Sequence, residues 1–271
     1  MKPCPRFSPG PWKWTWLLPA TFACVQTQLS AAELGARFQE GTFETRITRE
    51  IRYRYLLSIP GPDSAGPATP ATRWPLVLFL HGAGERGQDL SRVTVHGPPA
   101  LIQRGTNFPF ILVAPQCPED QRWDAPGLMA LLEELVQRLP VDPARVYVTG
   151  LSMGGYGTWK LGLSYPQRFA AIVPICGGGE WIDVRLAARD QANALRSLAV
   201  WAFHGAKDPV VPLSESERMV NALRQVGVQE VRLTVYPDAE HDSWTVTYNN
   251  PEVYQWMLQH RRPDAPWPVR R

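Results

Sequence analysis

Apolar and polar positions along this chain fall into short apolar runs separated by longer amphipathic stretches. In Thr42–Ile59, Ile51, Tyr53, Tyr55, Leu57 and Ile59 alternate with mostly polar neighbours, the period of a half-exposed strand. Its partner is predicted in Phe43–Thr48, giving a hairpin. Gly61–Arg73 is mostly Pro, Gly, Ser and Ala and reads as a loop. Pro75–Leu80 and Phe110–Ala114 are continuously apolar, as strands buried on both faces are, with a short helix predicted at Pro99–Arg104 between them. Leu128, Leu131, Leu132, Leu135, Val136 and Leu139 recur at helical spacing and predict an amphipathic helix over about Pro126–Leu139. Asp142-Pro143 reads as the turn into a strand at Val146–Thr149. Further strands are predicted at Ala170–Ile175, Leu198–Phe203 and Val231–Tyr236, with room for about one helix between Cys176 and Leu198. Ser214 with Glu217 has the spacing of a capping box opening a helix to about Val226. Asn250-Pro251 suits the cap and first turn of a last helix to about His260. Strands alternating with helices predict βαβ units in a mainly parallel sheet, covered on both faces, with the first hairpin antiparallel.

The central apolar run leads into Gly150-Leu151-Ser152-Met153-Gly154, a G-x-S-x-G pattern, followed by Gly155 and a helix-compatible stretch from Tyr156 to Ser164. A strand, a glycine-flanked serine and a helix make the context in which this motif carries chemistry. The turn is too sharp for side chains at its flanks, and the serine hydroxyl projects at the strand's C-terminal end. The N-terminus of the following helix offers free N–H groups and partial positive charge to an oxyanion. The other reading, a glycine-rich turn with an idle serine, stays open on the motif alone.

Composition narrows the function classes. The chain has 271 residues, 44% hydrophobic and 20% charged, which suits one large α/β domain. A net charge of +3 with scattered basic residues argues against a nucleic-acid partner. No Cys/His spacing resembles a zinc site, and neither metal nor organic cofactor is expected. Residues 1–32 differ from the rest. Lys2, Arg6 and Lys13 make a basic start, Trp14–Val25 is apolar but interrupted by Pro19, and Ser30-Ala31-Ala32 offers small residues. This resembles a secretory signal peptide, and it is too short and interrupted for stable membrane insertion. A secreted or periplasmic location is expected. Alternatives are a cytoplasmic chain or a lipid anchor through Cys24. Cys4 and Cys24 fall in the leader, so the remainder keeps only Cys117 and Cys176 and is no disulfide scaffold. A catalytic domain is expected over 42–262 and a loose tail, rich in proline, over 263–271.

Six motifs together resemble the α/β-hydrolase superfamily, and more narrowly bacterial esterases and "predicted peptidases" related to dienelactone hydrolases and prolyl oligopeptidase catalytic domains. They are HGAGERG at His81–Gly87, APQCP at Ala114–Pro118, GLSMGGYGTW at Gly150–Trp159, PICGGG at Pro174–Gly179, FHGAKDPVVP at Phe203–Pro212 and AEHDSW at Ala239–Trp244. The resemblance implies the α/β-hydrolase fold with a catalytic triad in the order Ser, acid, His. Ser152 stands where true dienelactone hydrolases carry cysteine, so their chemistry does not transfer.

After Ser152, Asp208 lies just past one strand end and His241 just past the last, on the same rim of the sheet. His241 is then the general base and acid, and Asp208 holds its ring; Asp238 or Asp242 remain alternatives as the acid. Met153 is expected to give one oxyanion N–H, and Ala83 or Gly84 the other. His81 and His204 are expected to hold loops, His96 to lie in the loop before Gly97-Pro98 with substrate contact as the lesser alternative, and His260 late in the terminal helix. Glu85 and Arg86 read as a loop ion pair or as substrate contacts. Trp159 and Trp256 are expected in the core. Trp123, Trp181 and Trp244 either line an aromatic substrate cleft or pack under loops. In the superfamily's sheet order two strands separate those ending at Cys117 and Cys176, so no disulfide is expected between them. The function expected is a serine carboxylesterase acting through an acyl-enzyme on short-chain or aromatic acyl esters, small or polymer-linked. A serine peptidase, or a non-catalytic binding protein on the same fold, are the alternatives.

Overall fold

A computed structural model of the chain describes residues 41–61, 73–262 and 264–267. The leader 1–32, with Cys4 and Cys24, lies outside the described residues. Two compact units divide the chain between Arg49 and Glu50. In the first, residues 41–49 carry neither helix nor strand.

In the second unit, strands β1 (Arg54–Ser58), β2 (Trp74–Leu80), β3 (Ile111–Gln116), β4 (Val141–Leu151), β5 (Ala171–Ile175), β6 (Ala199–Gly205) and β7 (Val231–Tyr236) form one sheet in the order β1-β3-β2-β4-β5-β6-β7. All neighbours run parallel except β1 with β3. The helices are α1 (Gly97–Gln103), α2 (Ala125–Arg138), α3 (Met153–Ser164), α4 (Trp181–Asp190), α5 (Ala192–Arg196), α6 (Ser214–Gln225), α7 (Trp244–Asn249) and α8 (Pro251–Gln259). Among the described residues no helix is long and apolar enough to cross a membrane.

Strand alternation divides the core. Leu76, Leu78 and Leu80 of β2, with Val146 and Val148 of β4, face one side and pack with α2, α3 and α6. Val77 and Phe79, with Tyr147, face the other and pack with Tyr248 of α7 and Val253, Trp256 and Met257 of α8. This two-sided cover explains why β2 and β3 read as unbroken apolar runs, since every residue of both is buried. Trp159 and Trp256 are core residues.

Several expectations need correction. The hairpin with Phe43–Thr48 does not form; β1 pairs instead with β3, Leu56 opposite Ala114. That register packs Tyr53 and Tyr55 against the α2 side and Leu56 against the α8 side. Asp142-Pro143 is not a turn before the central strand but lies within β4. The register slips between Trp74↔Val141 and Leu76↔Val146, so the residues between bulge from the ladder. Asp142 closes the bulge by accepting from the Ala144 amide at 3.0 Å and Arg145 Nε at 2.7 Å. Ser214 is the first helical residue rather than a cap, and no side-chain cap forms. Backbone turns from Pro212 and Leu213 accept the Glu215 and Ser216 amides instead. Two helices, α4 and α5, occupy the span between Cys176 and Leu198. Within the segment expected as a loose tail, the Trp267 indole N–H donates to Pro143 O at 2.9 Å while the Arg168 guanidinium stacks on its ring. Asn250 caps α8 as expected, accepting from the Glu252 amide at 3.0 Å.

Cys117 and Cys176 are free and buried. β2 and β4 separate their strands, and three strand spacings come to roughly 14 Å, twice a disulfide's reach of about 7 Å. Burial pushes both thiols up, to about 11 and about 12 respectively, so neither supplies thiolate near neutrality. Iodoacetamide followed by peptide mapping is therefore expected to leave both unmodified in the native protein and to alkylate both after denaturation. Recovery of a Cys117–Cys176 linked peptide would contradict the sheet order.

Candidate active site

Ser152 stands between β4 and α3 with φ 53° and ψ −116°. Such a conformation costs a non-glycine residue on the order of 1–3 kcal/mol, so the surroundings must enforce it. They do so from both sides. The Ser152 amide donates to Ile175 O at 2.9 Å and lies 3.3 Å from Cys176 Sγ, which ties the turn to the end of β5. On the other side the first turn of α3 presses on the end of β2. A Cβ at Gly154 would lie 1.9 Å from Leu80 O, so only glycine permits this approach.

His241 Nε2 lies 2.9 Å from Ser152 Oγ, and its Nδ1 lies 2.7 Å from Asp208 Oδ2. Asp208 follows β6 and His241 follows β7, and the two loops are joined by the Lys207 amide donating to Ala239 O at 3.0 Å. A Cβ at Gly205 would meet Glu240 O at 2.1 Å, so glycine lets the histidine loop lie directly over the end of β6. The Asp208 side chain is wholly buried. Burial alone would raise its pKa, but hydrogen bonds from His241 and from the Val211 and Val210 amides outweigh it and hold the carboxyl below the usual range. Both oxygens are thereby occupied, Oδ1 by those amides at 2.9 and 2.8 Å and Oδ2 by the imidazole. The alternatives lie elsewhere: Asp238 pairs with Lys207 and Asp242 binds Thr245.

Met153 opens α3, where the first amides have no partner within the helix. Ala83–Glu85 is a short 3-10 turn after β2. His81 Nδ1 donates to Gly82 O at 2.6 Å, and its Nε2 accepts from the Cys117 amide at 3.0 Å. The ring thus fixes the peptide that carries the Ala83 N–H, and the partners define a neutral imidazole. Burial chiefly, with the nearby Arg86 and Arg92 charges, lowers its pKa to about 4 against the rise due to Gly82. His204, also buried, donates from Nε2 to Val211 O at 2.9 Å and backs Asp208 at 3.3 Å. His260 bonds Trp256 O and Glu230 and is remote from Ser152.

A cleft of about 550 Å³ opens from Ser152 along α3, lined by Met153, Tyr156, Gly157, Lys160 and Leu163, with Arg122 and Trp123 on one wall and Gly179, Glu180 and Asp183 on the other. Trp123 both lines the cleft and packs under a loop, its indole N–H donating to His81 O at 3.0 Å. Trp181 is outside this lining and is 48% exposed, because α4 turns it away while Asp183 faces inward and pairs with Lys160 at 2.9 Å. Trp244 lies on the other side of the triad, its ring 5.3 Å from that of His241 and 5.4 Å from that of His96. Glu85 and Arg86 form no ion pair. Arg86 binds the carbonyls of Ala83 and Gln121, and Glu85 lies beside His81 and His96. Sequence reasoning missed Tyr156, Gly157 and Lys160, although their helical spacing from Ser152 was a usable signal.

Residues 121–250 match the phospholipase/carboxylesterase family. A poly(3-hydroxyoctanoate) depolymerase of Pseudomonas fluorescens is 26% identical over 234 residues, covering 77% of this chain and 81% of that protein. A poly(3-hydroxyalkanoate) depolymerase C of Paucimonas lemoignei is 31% identical over 121 residues, 28% of its length. Among solved structures, a thermostable esterase superposes with TM-score 0.61 at 31% identity, covering 78% of this chain; the chain spans 60% of that esterase's length. A ferulic acid esterase shares the fold at 20% identity, with TM-score 0.53, covering 69% of this chain and 86% of its own.

The buried, neutral His81 makes a pH signature. As pH falls from about 6.5 to about 4, the unfolded chain takes up a proton that the folded ring refuses. Folding stability should therefore drop across that window by up to about 3 kcal/mol, beyond the contribution of other groups. Urea unfolding of wild type and His81→Gln between pH 4 and 7 is expected to show a shallower slope in the variant, whatever its stability at pH 7. Equal slopes would contradict the buried neutral ring.

Proposed function

We propose that this chain, a hydrolase of the α/β-hydrolase superfamily acting on esters, cleaves short-chain or aromatic acyl esters through an acyl-enzyme on Ser152. The observation that carries the reading is the hydrogen-bonded chain from Ser152 Oγ through His241 to Asp208, at 2.9 and 2.7 Å. In this reading His241 Nε2 takes the hydroxyl proton as Oγ attacks the ester carbonyl carbon. The oxyanion that forms is met by the Met153 amide and by the Ala83 amide or, failing it, that of Gly84. The imidazolium, held by Asp208, gives its proton to the departing alcohol. Water then enters, His241 takes its proton, the acyl–Oγ bond breaks, and the acid leaves with Ser152 restored.

The acyl group lies along the α3 cleft, against Trp123 and Tyr156, whose rings suit a flat aryl group. The cleft opens to solvent rather than forming a closed tunnel, which disfavours long lipid chains. The depolymerase relatives favour a polymer-linked ester as a second form of the same substrate. A peptidase reading draws only on fold likeness, as to an acylaminoacyl peptidase at 14% identity. The basic and apolar leader 1–32 supports export, with the domain over 42–262 as the working unit.

Ser152→Ala is expected to lower kcat by about four orders of magnitude or more while circular dichroism stays unchanged. Comparable turnover in that variant would end the mechanism. Acetyl, butyryl and feruloyl esters are expected to exceed palmitoyl esters and matched peptide amides in kcat/KM. Trp123→Ala is expected to lower the feruloyl-to-butyryl ratio by roughly threefold to tenfold. Preference for amides or palmitate would overturn the substrate assignment.

A further inference from the structure

The α3 cleft changes character along its length. Beside Ser152 its floor is Met153, Tyr156 and Gly157, with Trp123 against Gly157. Further on the floor is Lys160, on the same face of α3, because residues three and four apart lie one above the other. The opposite wall keeps pace. A Cβ at Gly178 would meet the Tyr156 ring at 3.2 Å, one at Gly179 would meet the Trp159 Cβ at 3.2 Å, and Asp183 then reaches Lys160. The ion pair therefore joins floor to wall within the cavity that begins at Ser152. Lys160 Nζ lies 3.1 and 2.9 Å from the two Asp183 oxygens. An ammonium has three N–H donors, so at least one is left over, and the Lys160 side chain is 53% exposed. Asp183 is only 19% exposed, which anchors the pair at the wall. Arg122 and Glu180 also line the cleft, so its cationic and anionic side chains balance.

We infer that Lys160 is a specificity-determining residue, whose spare N–H binds a neutral oxygen (hydroxyl, ether or ester) carried at the far end of the acyl chain. The inference deepens the esterase reading above and rests on it, and on the acyl group lying in this cleft. An ammonium only donates, so the atom it takes is an acceptor. A hydrocarbon end at the same place strips water from the ammonium and returns no hydrogen bond. A carboxylate end finds no net positive charge, since Asp183 already neutralises Lys160 and the charges of the cleft balance. Lys160 stands about 12 Å from Ser152 along the helix axis, so an acetyl group ends well before it. The preference for oxygen therefore depends on acyl length, which separates a fixed subsite from a general taste for polar esters.

The test exchanges one methylene of the acyl chain for an ether oxygen and changes nothing else. Ethyl hexanoate, octanoate and decanoate are compared with ethyl 4-methoxybutanoate, 6-methoxyhexanoate and 8-methoxyoctanoate on wild type and Lys160→Met, which keeps the stem and removes the donors. Fluorophosphonate labelling of Ser152 shows that each enzyme is folded and competent. In wild type the ratio of kcat/KM for the ether to that for its hydrocarbon counterpart is expected to rise with chain length. At the length where it is greatest, Lys160→Met is expected to lower it by about threefold to tenfold, the size of one hydrogen bond exchanged with water. A fall of less than about threefold, or a wild-type ratio that does not rise with length, would overturn the assignment and leave the esterase reading intact. Moving the ether oxygen into the alcohol chain is expected to give no preference that depends on Lys160. A dependence that followed the alcohol would put the alcohol in the cleft and overturn the acyl assignment. A labelled wild-type enzyme that splits none of these esters would overturn the esterase reading, and the role of Lys160 with it.

Discussion

One close approach of backbone to backbone governs the rest. The first turn of α3 lies against the ends of β2 and β5 so tightly that residue 154 has no room for a single methyl group beside Leu80 O. That approach sets the helix N-terminus over the sheet and compels Ser152 into its left-handed conformation. It also draws together three backbone segments, the turn after β2, the turn that carries Ser152 and the end of β5. The strain at Ser152 is sustained because two neighbouring strands over-determine it. The flanking residues have little freedom to drift, so the hydroxyl projects from a rigid base rather than from a mobile loop.

The remaining machinery is assembled on that base from further along the chain. His241 is held from two directions, by a wholly buried carboxylate and by the backbone pairing of its loop with the loop after β6. Asp208 in turn is fixed by two amides before it meets the imidazole. Each functional group is positioned by a partner that is itself held in place, an arrangement that lowers the reorganisation needed during reaction. His81 follows the same logic, as a neutral ring whose two nitrogens orient the Gly82 peptide and receive the Cys117 amide.

Much of this was legible in the sequence where the physics is local or the pattern is dense. β2, β3 and β7 announce themselves by composition, the Asn250 cap by its proline, and the rim positions of Ser152, Asp208 and His241 by their place after apolar runs. What escaped depends on distant partners. The pairing of β1 with β3 needs a contact across some sixty residues, which no alternation within 42–59 can reveal. Helix α7 contains Thr245, Val246 and Thr247, β-branched residues that read against a helix until packing overrides them. Trp123 and Trp181 look equivalent in sequence; only the direction in which each chain segment enters its helix sends one into the cleft and the other to solvent. Ser214 has the right spacing for a capping box, yet Pro212 and Leu213 turn the chain first.

The cleft has a helix for its floor, and that gives it graduations. Its lining advances from Met153 through Tyr156, Gly157 and Lys160 to Leu163, one turn at a time, each turn rising about 5.4 Å. Lys160 stands about two turns beyond Ser152, about 12 Å along the axis. Depth along the cleft is therefore marked in helical steps rather than continuously, each step with its own lining side chain. At the first step Gly157 lets Trp123 and Leu80 pack close to the helix, a Cβ there meeting Trp123 at 2.9 Å, and the Lys160–Asp183 pair brings charge to the second. Reach along this groove is set one position at a time, by residues that do not belong to the reaction itself.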